Sequence, residues 1–357
     1  MIYSTFKISR KSCATKTISF LKIEQNKSLK KYNTFGIDVK ATEFIKINSE
    51  KELVETLSIH KNKDIFILSG GSNMLLTKDL KSLVLHIAIK GISTAAQSDN
   101  HVLVSASAGE NWHDFVQYCI NNDYGGLENL SLIPGYAGSA PIQNIGAYGV
   151  ELKDSFVSCE TINLTTGKKR IFNKEQCSFG YRNSIFKSEL KGKYVITKVT
   201  FKLSTKEHSL NTSYGAIENA LKEKNINTPT IKDVSEAVIT IRKSKLPDPA
   251  IIGNSGSFFK NPVISISAFR SLQKSYADIP HYQIDEQNIK VPAGWLIEQS
   301  GFKGKRWGDA GVHDKQALVL VNHNNANGQE ILELSIKIKN TIREKFGISL
   351  ETEVNII

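Results

Sequence analysis

Ile65-Phe66-Ile67-Leu68-Ser69-Gly70-Gly71-Ser72-Asn73 joins four consecutive apolar residues to a run of small ones. Four apolar residues bounded by a turn signal read as a buried strand. The turn after it carries no bulky side chain, so successive backbone N–H groups can point into one concavity, a shape that suits a pyrophosphate. A plain strand-to-loop turn is the alternative. The stretch is neither the G-x-G-x-x-G dinucleotide pattern nor a Walker A sequence.

Outward from this turn, strands and helices alternate. Glu43–Asn48 reads as a strand ahead of a helix that begins near Ser49, and Ser82–Ile87 and His101–Ser105 continue the sheet. Asn111–Asn121 is an amphipathic helix with Trp112, Phe115, Val116 and Cys119 at helical spacing. This order predicts an α/β or α+β domain. Residues 125–150 then break both periods with six glycines (Gly125, Gly126, Gly135, Gly138, Gly146, Gly149) and few charges. An uncharged glycine-rich stretch inside a domain is more often a binding surface than a linker. Its Ser139, Gln143, Asn144 and Tyr148 are neutral hydrogen-bonding groups. Two such loops suit a large dinucleotide better than a simple phosphate.

Strands return at Phe156–Leu164, Lys169–Phe172 and Tyr194–Leu203, followed by helices at Ala216–Lys224 and Val234–Arg242 and by Lys245-Leu246-Pro247-Asp248-Pro249. The last third has a short helix at Pro292–Ser300 and a buried strand at Ala317–Val321. Ile331, Leu334, Ile338, Ile342 and Phe346 form a helical stripe stopped by Gly347, and Ser349–Ile357 reads as a closing strand. A domain change is expected near 210–250.

The chain has 357 residues, enough for two or three domains, and its 40% hydrophobic and 23% charged content with 8 prolines excludes disorder and collagen. The net charge of +11 raises a polyanionic partner. It is concentrated, however: residues 1–31 carry eight basic side chains against Glu24 alone, or +7, and the remaining 326 residues carry 38 basic and 34 acidic ones, or +4. The Ser/Thr/Lys-rich segment 1–31 has the composition of an organelle transit peptide without a secretory apolar core; an unstructured extension or an upstream start is the alternative. No run of about 18 apolar residues occurs. Cys13, Cys119, Cys159 and Cys177 are far apart, and the eight histidines show no metal spacing, so no metal is expected and a reducing cytoplasm fits.

Three more segments carry groups capable of chemistry. In Phe179-Gly180-Tyr181-Arg182-Asn183-Ser184-Ile185-Phe186-Lys187 a lone arginine sits among aromatic and apolar residues, aimed at a carboxylate or phosphate or engaged in an interdomain ion pair. Gly253-Asn254-Ser255-Gly256-Ser257-Phe258-Phe259-Lys260-Asn261-Pro262 is not a G-x-S-x-G elbow and by itself reads as a loop. Leu350-Glu351-Thr352-Glu353-Val354 puts two glutamates on one face of a strand, which by pattern alone is surface charge.

In this order the segments resemble the bacterial UDP-N-acetylenolpyruvoylglucosamine reductases, also called UDP-N-acetylmuramate dehydrogenases. The match runs from Asn33-Thr34-Phe35-Gly36 to Glu353 through GGSN (70–73), AGENWHDFV (108–116), GLENLSLIPG (126–135), GSAPIQNIGAYG (138–149), FGYRNSIFK (179–187), KLPDP (245–249), GSFFKNP (256–262) and LETEV (350–354). Ser69, where a glycine is common, and the bulky Tyr136 depart from the pattern.

The resemblance implies an α+β flavoenzyme of the vanillyl-alcohol-oxidase/PCMH type, with two FAD-binding subdomains and a C-terminal α/β substrate domain. Its expected boundaries are a disordered basic extension at 1–31, subdomains at 32–90 and 91–210, and a substrate domain at 211–357 whose last strand returns to the active site. Non-covalent FAD would sit against Gly70, Gly71, Ser72, Asn73, Pro134, Gly135, Ser139, Gln143, Gly146, Tyr148 and Gly149. NADPH would be the reductant and UDP-N-acetylglucosamine enolpyruvate the substrate. By the same resemblance Ser257 is the proton donor, Arg182 and Glu353 stabilise the charge formed, and Tyr214 closes over the UDP-sugar as in the longer, type I form. Lys245, Asn261 and Gln316 match substrate contacts, and Lys245 or Lys260 would acidify Ser257.

The expected protein is a cytoplasmic bacterial enzyme, monomeric or weakly homo-oligomeric, without nucleic-acid or membrane partners. Two rivals stand beside it: another FAD-linked oxidase of the superfamily, and a basic nucleic-acid-binding protein. An organelle address follows if the tail is a transit peptide.

Overall fold

The strand before the glycine turn is an edge of a sheet with a core on each face, and of its four apolar residues only Leu68 is fully buried, not the whole strand as expected. The computed structural model describes residues 22–357. Strands β1 (Glu24–Ser28), β2 (Lys40–Ile47), β3 (Ile65–Leu68), β4 (Met74–Leu75) and β5 (Leu80–Ile87) open the chain, with helix α1 (Glu50–Ile59) between β2 and β3. The first sheet has the order β1-β2-β5-β3, with β2, β5 and β3 parallel. The helix starts where the Ser49 hydroxyl accepts from Glu52 N–H. Alternation along β2 and β5 divides the side chains between two cores: Phe44 and Val84 face the C-terminal elements, while Ile45, Ile47, Leu83 and Leu85 face α1 together with Ile162 and Val195.

β1 corrects the expected boundary of the basic extension. Residues 24–31 are part of the fold: β1 pairs antiparallel with β2, and Leu29 is fully buried. An edge strand turns most of its side chains to solvent, so EQNKS carries no apolar alternation to betray it. The rest of the expected disordered segment, with Cys13, lies largely outside the described residues.

β6 (Ile92–Ser98) and β7 (His101–Ser107) begin a second sheet, and α2 (Trp112–Asn121), capped by Asn111, packs Trp112, Phe115, Val116 and Cys119 into its core. The chain then passes through β8 (Gly146–Ala147), β9 (Val150–Glu151) and α3 (Leu152–Ser155). β10 (Phe156–Asn163), β11 (Lys169–Asn173) and β12 (Tyr194–Ser204) complete an antiparallel sheet ordered β11-β10-β12-β7-β6. Helices α4 (Gly215–Glu223) and α5 (Ile231–Lys245) form a pair whose core includes Tyr148 and Leu210. A Thr230–Asp233 capping box starts α5 three residues before the apolar pattern does.

The last region comprises β13 (Gly253–Ser257), β14 (Val263–Ser265), α6 (Ile266–Gln273), β15 (Tyr282–Gln283), β16 (Asn288–Lys290), α7 (Ala293–Gln299), β17 (Arg306–Trp307), β18 (Ala310–Val312), β19 (Val319–Asn322), α8 (Gly328–Phe346) and β20 (Asn355–Ile356). Its main sheet, β13-β19-β18-β17, is antiparallel. α8 buries the expected stripe, and Gly347 closes it at φ 66°. Phe258, Phe259, Leu320, Ile338 and Ile342 share one core with Phe44 of the first sheet and with Phe35 and Leu75.

The expected strand at Ser349–Ile357 is not one strand. Thr352 bridges Phe259 antiparallel, after which Asn355–Ile356 pairs parallel with β4. The segment changes partner within a few residues, so alternation cannot persist along it.

Candidate active site

The first sheet, the second sheet, α5 and the C-terminal segment enclose a cavity of about 850 Å³, within the range of sites for organic ligands. Ser69, Gly71, Ser72 and Asn73 form one wall, Pro134, Ser139, Gln143 and Gly146 another, and Arg182, Ser257 and Glu353 a third. Residues of six separate sequence motifs thus meet in one space.

The glycine turn is built by close backbone approach. A Cβ on Gly70 would lie 2.9 Å from Gly135 Cα, so these two glycines let the two loops touch. Gly71 has φ 60°, and a Cβ there would lie 2.9 Å from Asn33 Cα and even nearer the Tyr32 carbonyl. Ser72 Oγ donates to Pro134 O at 3.1 Å, and Asn73 Nδ2 donates to Gln143 Oε1 and to Glu353 O. The Asn73 carbonyl accepts from Asn355. The turn therefore both shapes the cavity and ties Glu353 to its wall. Tyr148 and Gly149 lie behind this wall, off the cavity surface: Tyr148, at φ 48°, meets Tyr214 edge-to-face with ring centroids 5.3 Å apart, and the Gly149 carbonyl accepts from Asn211.

Arg182 sits in a two-residue turn closed by reciprocal Gly180–Asn183 backbone bonds, at φ 52°. Such a conformation costs a non-glycine residue of order 1 kcal/mol and persists only when its surroundings enforce it. Asn144 Nδ2 donates to Gly180 O, and Ser184 Oγ donates to Ile142 O, fixing the turn to the glycine-rich loop. The guanidinium then donates through Nη2 to Gly146 O at 3.0 Å, and Nε lies 3.0 Å from Glu353 Oε1. The Nε–H is buried and not aligned on that oxygen, which leaves a donor without an acceptor among the described residues.

The two glutamates of LETEV do not share an environment, which corrects their reading as surface charge. Glu351 is 75% exposed and pairs with Lys260, whereas Glu353 is 13% exposed. Burial pushes the Glu353 carboxyl above the usual range, outweighing the nearby positive charges of Arg182, Lys187 and Lys260. Ser257 reaches the cavity from a β-bulge, where the register with β19 shifts between Asn254 and Ser257 and Gly256 takes φ 68°.

The four expected substrate contacts lie outside the cavity lining. Tyr214 is 47% exposed on Tyr148. Lys245 is exposed beside the lining residue Leu246. Asn261 Oδ1 accepts from Ala293 N at the start of α7, and Gln316 Oε1 accepts from Leu318 N.

Three lining cations, Lys187, Lys191 and Arg242, escaped the sequence reading. Lys187 closes the FGYRNSIFK motif, where no spacing distinguishes it from a surface lysine. Arg242 donates to Leu132 O at 3.2 Å and lies beside the Tyr148 hydroxyl, and burial lowers its pKa. Its signal was present: it falls four residues after Val238 on the stripe Ile231, Val234, Val238 that α5 buries. Tyr136 also lines the cavity, under the Lys90 ammonium at 5.6 Å from the ring centroid.

The cavity fits FAD on its own features. Gly70 and Gly71 stand where no Cβ fits, and the buried Ser69 hydroxyl on the wall has no partner among the described residues. The wall around them is uncharged and polar, as a dinucleotide requires. A two-sheet cradle of this kind facing an arginine–glutamate pair defines a flavoprotein.

Comparison with known proteins agrees: residues 42–171 match the FAD binding domain model, and residues 248–357 match the model of the UDP-N-acetylenolpyruvoylglucosamine reductase C-terminal domain. The UDP-N-acetylenolpyruvoylglucosamine reductase of Flavobacterium johnsoniae is 56% identical over 94% of this chain and 100% of its own length. That of Pseudomonas savastanoi pv. phaseolicola is 46% identical over 94% of this chain and 99% of its own. The crystal structure of the reductase (MurB) from Thermus caldophilus has the same fold, with a TM-score of 0.65 at 23% identity over 94% of this chain and 99% of that one. The chain belongs to the UDP-N-acetylenolpyruvoylglucosamine reductase family.

Proposed function

We propose that this chain reduces the enolpyruvyl group of UDP-N-acetylglucosamine enolpyruvate to give UDP-N-acetylmuramate, with NADPH as reductant, in peptidoglycan precursor synthesis. The observation that carries this reading is the Arg182–Glu353 pair, 3.0 Å apart on the wall of the cavity that Ser257 also lines. FAD, when bound, supplies the two-electron chemistry, accepting electrons from NADPH and delivering hydride to the enolpyruvyl β-carbon. The two glycine loops would hold it.

Negative charge then develops on the α-carbon and its carboxylate. The unaligned Arg182 Nε–H is a donor waiting for such a carboxylate. Glu353, held toward its protonated form by burial, donates to the enolate oxygen; oriented donors of this kind contribute about 3–4 kcal/mol each. The Ser257 hydroxyl delivers the proton to the α-carbon, a role typically worth roughly 10²–10⁴ in rate. Lys260 lines the same cavity and supplies the positive potential that makes a serine a usable acid.

The UDP-sugar extends beyond the cavity, and we assign Tyr214, Lys245, Asn261 and Gln316 to it. Tyr214, exposed and anchored on one side to Tyr148, is free to close over a ligand. We place the enzyme in the bacterial cytoplasm, acting without nucleic acid as a monomer or weak homo-oligomer. No helix among the described residues is long and apolar enough to cross a membrane.

The test is a visible spectrum of the purified protein, followed by NADPH and then the enolpyruvyl sugar. Flavin absorbance should bleach with the first and return with the second, and denaturation should release free FAD. A protein colourless after incubation with FAD, or a reduced flavin untouched by the enolpyruvyl sugar, would refute the reading.

A further inference from the structure

The left-handed turn that aims Arg182 has one support that neither the glycine loop nor the substrate provides. Lys187 Nζ donates to the Arg182 backbone carbonyl at 3.3 Å, five residues back along the chain. Its own backbone N–H donates to Ser184 O, and Ser184 Oγ is bonded to Ile142 O, so the lysine stem rises from a fixed base. The side chain lines the cavity beside Phe186. The charged and titratable groups around its ammonium are Arg182, Glu353, Lys260 and Lys191. With three of these four groups cationic, the Arg182 carbonyl and the Glu353 carboxyl are what favour an ammonium at this point.

We infer that Lys187 is a positioning residue: its ammonium locks the peptide after Arg182 in the left-handed turn and so holds the guanidinium between Gly146 O and Glu353. Without that bond the Arg182 carbonyl loses a charge-assisted partner. Residue 182 then relaxes toward the ordinary right-handed or extended region, and the guanidinium swings off the site where the substrate carboxylate is stabilised. The glycine turns and the FAD walls do not depend on this bond.

The inference rests on the reaction proposed above, and the two half-reactions separate them. Stopped-flow absorbance follows flavin reduction by NADPH and reoxidation by UDP-N-acetylglucosamine enolpyruvate in the wild type, Lys187→Met, Lys187→Ala and Lys187→Arg. Loss of one hydrogen bond to a charged group predicts reoxidation slowed about tenfold or more in Lys187→Met and Lys187→Ala. Reduction should stay within about twofold, and Lys187→Arg, which keeps a charged donor, should recover most of the loss. Lys187→Ala decides the matter if the methionine variant does not fold. Equal slowing of both half-reactions, reoxidation at the wild-type rate in the Met or Ala variant, or no recovery in Lys187→Arg would overturn the inference. A wild-type protein that the enolpyruvyl sugar fails to reoxidise would instead overturn the proposed function.

Discussion

Replacing Gly71 with alanine tests the claim that the first glycine turn is shaped for the cofactor. Residue 71 has φ 60°, and a Cβ there lies 2.9 Å from Asn33 Cα and closer still to the Tyr32 carbonyl oxygen. The neighbour cannot give way. Asn33 is buried, with Nδ2 donating to Leu29 O and Ile37 O and Oδ1 accepting from Ile37 N, and Thr34 N donates to Gly71 O. The left-handed backbone costs alanine roughly 1 kcal/mol, and the overlap adds about 2 kcal/mol, as overpacking usually does. The variant can relieve about 3 kcal/mol only by opening the turn. If all of that falls on the bound state, FAD affinity drops about 100-fold.

Flavin fluorescence quenching measures the affinity. Gly36→Ala is the control: its φ is 66° with nothing within 4 Å of the added methyl, so it carries strain without collision. It should lose roughly 1 kcal/mol of stability and bind FAD normally. Gly71→Ala binding FAD as tightly as the wild type would refute the assignment of this turn to the cofactor.

Ser257→Ala should leave NADPH-dependent flavin reduction intact while slowing reoxidation by the enolpyruvyl sugar roughly 10²–10⁴-fold, the range for a lost general acid; equal loss in both would remove Ser257 from its role. Glu353→Gln should abolish most activity yet stabilise the fold at high pH. The folded-state pKa of Glu353 is raised, so its contribution is fully present below about pH 4.5 and is lost as pH rises through the folded value. Melting curves should therefore coincide near pH 4 and diverge in the variant's favour at pH 8. His86 lies among Tyr32, Phe44 and Tyr136, and burial lowers its pKa. Its neutral form is the folded one, so stability falls as pH drops below about 6.5. His86→Phe should flatten part of that slope in melts between pH 5 and 7, and an unchanged slope would contradict the burial argument.

Much of the fold was legible because local signals agreed with it. β2, α1 and β5 follow from alternation and a serine cap, β3 from an apolar run before a turn, and α8 from its stripe and Gly347. Strands with weak side-chain signals were not. β1 and β6 are sheet edges of polar and small residues, and the short strands β14 to β16 pair only with one another. The candidate site was legible as motifs and illegible as geometry. Arg182, Ser257 and Glu353 were singled out by resemblance, whereas Arg242 lay in the pattern of α5 unread and Lys187 gave no pattern at all.

The two glutamates of residues 350–354 mark where sequence stops and tertiary structure begins. Side-chain alternation states only that they share a face; it says nothing about what covers that face. Residue types and order alone determined that this chain has a sheet ending in a glycine turn, a second glycine-rich loop, and a late helix closed by Gly347. These depend on φ preferences, caps and periods, which act within a few residues. Packing across nearly the whole chain decided the rest. The C-terminal segment returns to Asn73 and leaves Glu351 in water. The same return buries Glu353 against Arg182, because desolvation and the approach of distant charges are properties of neighbours in space.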